Sequence, residues 1–400
     1  MNINSVARNG LCSACGACAG ICPVKAITMI YNEAGFLYAE IDKNKCINCG
    51  KCLKICPSQK ENILSDSNTK EYILGNISKG YIGYSTDKMV REGGQSGGVV
   101  SGLLCFLLEK EEIEGAVVSS FDKDENRPKV KYVETKEEII RSQGSHYCQT
   151  DMVRGYLENC DKKIATVLLG CQAYAISKIE KNKMSETDTG IKIGLFCGGQ
   201  FSRFIIRDLL QQAKVSQAER VLNFRFRDKR EGGCPGDVKI ETDKGNYVLP
   251  RTERIKLFDI WKCHRCTECL DFYNQECDIV CGDPWGIDKQ TLTEKGATVI
   301  LVRTKKGQEL IDAAIEEKVI YVEEIPPQLI IDGQGMLGTI EERCRNTTAN
   351  QNKRQYSYKL YFSEEKNLKR IVRSRKRKNM YAEIIVNAKN IVKKLIKRYV

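Results

Sequence analysis

Eight of the chain's cysteines fall into two identical quartets. Cys12, Cys15, Cys18 and Cys22 are followed by Pro23, and Cys46, Cys49, Cys52 and Cys56 by Pro57. Each quartet reads C-x2-C-x2-C-x3-C-P, and the second begins 34 residues after the first. Thiols spaced this closely must be met by metal or by disulfides. Disulfides belong to oxidising compartments. Met1 to Asn9 hold no basic stretch followed by an apolar run, and Leu103 to Leu108 is too short to span a bilayer. A cytoplasmic location with reduced, metal-binding cysteines is therefore expected.

Zinc needs four ligands, and two identical quartets would be an odd way to supply them. The spacing resembles that of the two-cluster bacterial ferredoxins over residues 8 to 60. In that arrangement three thiolates of one motif wrap a [4Fe-4S] cube and the fourth reaches the other cube. The expected ligand sets are Cys12, Cys15, Cys18 and Cys56 for one cluster, and Cys46, Cys49, Cys52 and Cys22 for the other. The repeat suits a strand-helix-strand unit used twice, so residues 1–60 are expected to form an α+β ferredoxin-like domain.

A chain of 400 residues is too long for a ferredoxin alone. Residues 61–79 are polar and without periodicity, which predicts a linker. From residue 80 to 345 strand-like and helix-like segments alternate. Gly115 to Ser119, Ile164 to Leu169 and Ile191 to Phe196 read as strands, and Gln172 to Lys181 and Phe201 to Gln212 as helices. The pattern predicts an α/β main domain with a mixed, largely parallel sheet. Within it, Glu92-Gly-Gly-Gln-Ser-Gly-Gly98 runs into the apolar helix that begins at Val99. Such a loop either cradles an anion at a helix N-terminus or is a plain turn.

Two of the predicted strands end on a cysteine, Cys171 and Cys197. Ligands of parallel sheets bind beyond the carboxyl ends of the strands, so these two thiols would face one site. Cys266 and Cys269 could complete a third [4Fe-4S] set, with Cys263, Cys277 and Cys281 close by in sequence. The alternatives are small buried thiols at Cys171 and Cys197 and a zinc knuckle at Cys263, Cys266 and Cys269. Cys105, Cys148, Cys160 and Cys344 lack cluster spacing and read as core or surface thiols; Cys234 fits neither class.

Several blocks between Gly80 and Gly338 resemble the beta subunits of coenzyme F-420 hydrogenases and dehydrogenases. They are Ser96-Gly97-Gly98, Ser145-His146-Tyr147, Gly170-Cys171-Gln172, Phe196-Cys197-Gly198 and Phe226-Arg227-Asp228-Lys229. The most specific is Cys266-x2-Cys269-x-Asp271, continuing through Asp278-Ile279 to Gly282-Asp283-x-Trp285-Gly286. The sequence departs from the family at His146, where a lysine is usual, in lacking Thr-Pro before Cys171, and in the added Cys263, Cys277 and Cys281.

The resemblance implies an iron-sulfur flavoprotein oxidoreductase. FAD would sit in the main domain, with Ser96, Gly97, Gly98, Ser145, His146, Tyr147, Arg227 and Lys229 as candidate cofactor-binding residues. A third cluster would be held by Cys171, Cys197, Cys266 and Cys269, and the hydride acceptor would be coenzyme F-420 or another substrate. A redox partner protein or a small-molecule acceptor is expected, and nucleic acid is not. The alternatives are a non-catalytic electron-transfer subunit and a redox protein serving cell-surface polysaccharide synthesis. His264, inside the cysteine loop, reads as solvent-facing.

The net charge of +12 is uneven, since residues 351–400 carry 16 Lys or Arg against 3 Glu. Residues 346–400 read as a basic helical tail. Tyr381, Ile384, Ile385, Ala388, Ile391, Val392, Leu395, Ile396 and Tyr399 recur at helical spacing among lysines. It would either lie on an anionic membrane surface at the inner face, or pack on the body.

Overall fold

The structure is a computed structural model, in which residues 3–59, 73–182, 190–288 and 295–345 are described, with Arg373, Ser374 and Arg377. The basic tail otherwise lies outside the described residues. Among those described, no helix is long and apolar enough to cross a membrane.

The first domain is smaller in secondary structure than the sequence suggested. Its one sheet is the antiparallel pair β1 (Ile27–Tyr31) and β2 (Leu37–Ile41), flanked by four-residue helices at Ala17–Gly20 and Lys51–Lys54. Both strands lie between the two cysteine motifs and each motif carries one short helix, with a further helix at Asn4–Arg8, so neither motif has a full strand-helix-strand unit. The 34-residue repeat is nevertheless written in the backbone. Gly16 and Gly50 precede the two helices at φ +81° and +76°, and Ala14 and Asn48 stand at +59° and +53°. Glycine takes the left-handed conformation without steric cost, so each motif turns tightly around its thiols.

The main domain is a three-layer α/β/α unit around an eight-stranded sheet. Its strands are β3 (Lys79–Ser85), β4 (Gly115–Asp122), β5 (Arg127–Val133), β6 (Ile164–Leu168) and β7 (Ile191–Leu195). A separate antiparallel sheet follows, β8 (Val221–Asp228), β9 (Asp237–Thr242) and β10 (Asn246–Leu249). The chain then returns to the large sheet with β11 (Ile279–Gly282), β12 (Thr298–Val302) and β13 (Ile320–Glu324). The order in the large sheet is β13-β3-β12-β11-β7-β6-β4-β5. The sheet is mixed, and its parallel character is confined to the central strands β11, β7, β6 and β4; the flanking pairs are antiparallel.

The central strands are buried on both faces, which explains their near-continuous apolar sequence. One face, with Ile82, Val117, Leu168 and Val299, packs on helices Met152–Leu157, Gly170–Lys181 and Pro327–Gln334. The other, with Tyr81, Val118, Ile193 and Ile300, packs on helices Val99–Glu109 and Lys305–Glu316.

The expected linker is only partly outside the described residues. Ile73 and Leu74 are buried in the main core, and Arg303 Nη1 donates to the carbonyls of Leu74 and Asn76 at 2.7 and 2.8 Å. Residues 73–78 are therefore part of the body and not a loose connection. The hairpin tip of the first domain is also built in. Ser202 Oγ donates to Ala34 O at 2.6 Å, the Arg203 amide donates to Gly35 O at 3.1 Å, and Phe36 is fully buried among Phe201, Phe224 and Trp261. Burying a phenylalanine contributes about 1.5–3 kcal/mol, so this contact holds the ferredoxin-like domain in a fixed position on the body.

Candidate redox site

Cys56, of the second motif, neighbours Cys12, Cys15 and Cys18 of the first, and Cys22, of the first motif, neighbours Cys49 and Cys52 of the second. Cys12, Cys15, Cys18 and Cys56 are each 7–8% exposed. Burial, and then repulsion from Cys56, pushes the Cys15 thiol up to about 12. Cys18 is raised by burial and then by Cys12, Cys15 and Cys56. Four thiolates gathered in the interior need a cationic centre, and an all-sulfur donor set fits iron-sulfur chemistry. Cys22, Cys46, Cys49 and Cys52 instead line one cavity at the surface, with Val24, Ile27, Ile41 and Ile47.

A third set of thiols meets in the body. Cys171 opens the helix after β6, and Cys197 follows β7 by two residues, so parallel neighbours deliver both to one sheet edge. Cys266 lies in the short helix His264–Thr267, and the Gln200 amide donates to its sulfur at 3.3 Å. Burial raises the Cys171 thiol most, followed by Cys15, Cys269, Cys197 and Cys266. Cys197 is raised by burial and then by Cys266 and Cys269. All four keep some accessible surface. The sulfurs themselves face inward, with one another as electrostatic neighbours. Among the described residues no three Cys, His, Asp or Glu side chains close on one point as a single metal ion requires. The same is true of the ferredoxin quartets, and a cube that gives each thiolate its own iron sets a wider spacing.

The set lies against the ferredoxin. The Val153 amide donates to Cys15 O at 2.8 Å, and Arg265 Nη2 to Pro57 O at 3.5 Å. Cys263, fully buried, is placed between the two groups. Its thiol lies within donating distance of Cys12 O, and Gln149 Nε2 donates to its sulfur at 3.4 Å. The same thiol faces the Cys266 sulfur, and that hydrogen bond is the first cause that lowers the Cys266 thiol while raising that of Cys263. Cys277 and Cys281 are elsewhere: Cys277 packs in one core of the sheet and Cys281 in the other. The spacing had left all three open. Cys105 and Cys148 are buried thiols, Cys160 is partly buried and Cys234 is exposed. His264 is 6% exposed, against the expectation of a solvent-facing side chain; its loop is folded under by Cys263 and Cys266.

A charged network occupies the same edge of the sheet, where β11 ends and the loop after β3 returns. Arg227 Nη2 pairs with Asp283 Oδ2 at 2.6 Å, and Ser96 Oγ donates to Asp283 Oδ1. Tyr147 OH lies 3.4 Å from Arg227 Nη1, and Lys229 Nζ donates to Ser96 O at 2.6 Å and to Arg91 O. Burial lowers Lys229 to about 8. His146 sits beside this network near Arg225, and burial followed by that guanidinium lowers it to about 4. Ser145 precedes it in the chain and shares no bond with the network.

The glycines of the loop are explained by packing. A Cβ on Gly97 would stand 2.6 Å from Gly83 O, and one on Gly98 2.6 Å from Val90 O. The Gly97 amide donates to Thr298 Oγ1 at 2.8 Å, so it is not aimed at a ligand. Between thiols and charges stand two rings: Phe196 stacks on Phe272 at 5.6 Å, the Cys197 amide donates to Phe272 O, and Phe196 abuts Gly282. The resemblance included Phe196 in one of its blocks without giving it a role, and it singled out neither Phe272 nor Asp283 as the partner of Arg227.

The profile for the C-terminal part of the coenzyme F420 hydrogenase/dehydrogenase beta chain matches residues 161–328, and the profile for its N-terminal part matches residues 81–156. Two 4Fe-4S dicluster profiles match residues 11–60 and 38–93. One subunit of the F(420)H(2) dehydrogenase of Methanosarcina mazei is 28% identical over 83% of this chain and 90% of its own length. The beta subunit of the coenzyme F420 hydrogenase of Methanosarcina barkeri is 24% identical over 61% of this chain and 82% of its own. The coenzyme F420-dependent sulfite reductase of Methanocaldococcus jannaschii is 27% identical over 81% of this chain but only 49% of its own. A chain in the structure of the F420-reducing [NiFe] hydrogenase complex from Methanosarcina barkeri superposes with a TM-score of 0.52 at 21% identity. That match covers 71% of this chain and 91% of the other, and it speaks for the fold. From the succession of blocks along residues 81–328 and the dicluster region before them, the chain belongs to the family of coenzyme F-420 hydrogenase/dehydrogenase beta subunits and carries a 4Fe-4S dicluster domain at its N-terminal end.

Proposed function

We propose that the protein is an iron-sulfur flavoprotein oxidoreductase that exchanges electrons between a protein partner and a hydride acceptor. Cys12, Cys15, Cys18 and Cys56 would hold the inner ferredoxin cluster, and Cys22, Cys46, Cys49 and Cys52 the outer one. Cys171, Cys197, Cys266 and Cys269 would hold a third. The observation that carries this reading is the convergence of Cys171 and Cys197, from adjacent parallel strands, with Cys266 and Cys269 beside Cys15. When bound, clusters move single electrons and a flavin converts them to hydride.

The chain's own part is to hold these groups in line. The Phe196–Phe272 pair would wall the thiol set from the polar crevice and exclude water from between them. Arg227, Lys229 and Tyr147, gathered with Ser96 around Asp283, supply the cations and hydroxyls that a dinucleotide cofactor needs. The names of the relatives support coenzyme F-420 as the acceptor. Several of those relatives are named as subunits, which supports a protein partner and keeps the reading as an electron-transfer component as the second choice.

Anaerobic purification followed by iron, sulfide and flavin analysis tests the proposal. The expected content is about twelve irons and one FAD per chain. A preparation with about eight irons and no flavin absorbance would instead establish the electron-transfer component.

A further inference from the structure

The two ferredoxin quartets are not equivalent in exposure. The inner one is buried against the body, and the outer one opens to solvent. Cys49 is exposed, and Ile47 and Val24 beside it are 62% and 36% exposed. All three line the cavity of the outer quartet, on the side away from the hairpin tip that is anchored at Ser202.

Charge around this mouth is predominantly positive. Lys25, Lys43, Lys45, Lys51 and Lys54 flank the outer thiols in sequence, and Lys51 lines the cavity itself. Between residues 20 and 57 the acids are Glu33, Glu40 and Asp42. Glu33 lies in the turn at the far end of the hairpin, Glu40 is exposed on β2, and Asp42 is paired with Lys45 at 3.7 Å, which leaves the five lysines in excess. A small apolar centre ringed by lysines fits a partner with the opposite arrangement. Such patches steer encounter and set orientation more than they add affinity.

We propose that this face is the docking surface for a small acidic one-electron carrier protein. Ile47 and Val24 would form the dry contact over the outer cluster, and the five lysines would engage the partner's carboxylates. The exchange is a single electron lost by the reduced carrier and gained at the outer cluster, with no bond made or broken. The proposal rests on the ferredoxin half of the proposed function only. A protein lacking flavin would defeat that reading and leave this one fully testable.

The test uses the full-length, anaerobically purified protein and a fluorescently labelled acidic two-cluster ferredoxin as the probe. Affinity is read by anisotropy, and cluster reduction by stopped-flow bleaching. The triple variant Lys43→Glu, Lys45→Glu, Lys51→Glu and its Gln counterpart are first checked for unchanged iron content. Both keep the basic tail, so any difference reports this face. Association with the wild-type protein should weaken steeply with salt, and the Glu variant should lose about tenfold or more in the rate of reduction by the carrier. Reduction by the small cation methyl viologen, used as a control, should not slow. Salt-independent association, no association, or an equal loss with methyl viologen would overturn the proposal. So would a variant that keeps carrier binding but loses binding to phosphatidylserine vesicles, since the face would then be a membrane contact.

Discussion

The thiol of Cys263 lies 3.7 Å from the main-chain carbonyl oxygen of Cys12, so a fully buried residue of the body touches the backbone of a motif cysteine in the ferredoxin. Gln149 secures the same seam from both sides: its Oε1 accepts from the Leu37 amide at 2.9 Å while its Nε2 donates to the Cys263 sulfur. The seam joins the two proposed electron-carrying centres through hydrogen-bonded contacts.

Cys263 is expected to position and tune rather than to ligate. Cys263→Ala should keep its full iron content, at a stability cost of about 1 kcal/mol for the lost buried atom. Cys266→Ala should lose about four irons per chain. The Cys263 thiol faces the Cys266 sulfur, and a thiol that donates to a ligand sulfur stabilises the reduced cluster. Its removal should therefore lower one potential by about 20–60 mV, the one-electron equivalent of a single hydrogen bond. Equal iron loss in both variants would make Cys263 a ligand.

Cys171 and Cys197 are expected to separate from Cys277 and Cys281 in the same assay. Serine at either of the first two should remove the third cluster's contribution from the low-temperature electron paramagnetic resonance spectrum. Serine at Cys277 or Cys281 should leave the spectrum intact and lower the melting temperature instead, because each packs in a core of the large sheet. A spectrum altered only by the second pair would refute the assignment.

The contrast among these cysteines marks how far the sequence could be read. Thiols spaced two and three residues apart can be read locally, and the placement of Cys171 and Cys197 at one sheet edge was legible from the strands that precede them. Cys277 and Cys281 carry no local signal, and the close spacing of Cys263 to Cys266 does not say what it does, because whether each faces a neighbouring domain, a core or a ligand depends on tertiary packing. Ile73 and Leu74 were hidden for the same reason: two apolar residues after a polar stretch look like linker until Arg303 is seen to bind the carbonyls of Leu74 and Asn76. Gly97 and Gly98 show the reverse case. The loop read as an anion cradle or a turn, and the nearness of Gly83 O and Val90 O accounts for both glycines as packing.

Stability should rise on the alkaline side because of Lys229. Its folded value, about 8, lies below its ordinary 10.5, mainly through burial. Below pH 8 the amine is charged in both states, and the folded state bears the full cost of burying it. Between about 8 and 10.5 the unfolded chain binds more protons than the folded one, so stability increases with pH across that window. Thermal unfolding of the wild type and of Lys229→Met from about pH 7 to 10 checks this. The wild-type melting temperature should climb relative to the variant's, and parallel curves would show that the amine is not desolvated.

The last prediction concerns Asp283, the acid at the centre of the charged network. Arg227 and Asp283 expose only 9% and 14% of their side chains, and the carboxylate also accepts from Ser96. Removing the acid leaves a buried guanidinium without its counter-charge, which typically costs about 3–5 kcal/mol. Asp283→Asn also removes the counter-charge but keeps one acceptor oxygen for Arg227, so it should cost less than Asp283→Ala. If the network holds the cofactor, both variants should bind FAD more weakly in titrations of protein stripped of flavin, and Asp283→Ala more so than Asp283→Asn. Arg227→Lys then separates support from recognition. It keeps the charge opposite Asp283 but loses the planar fork suited to phosphate, so it should weaken FAD binding while largely preserving stability. A variant that is destabilised yet binds FAD as tightly as the wild type would confine the network to a structural role and move the flavin elsewhere along the sheet edge.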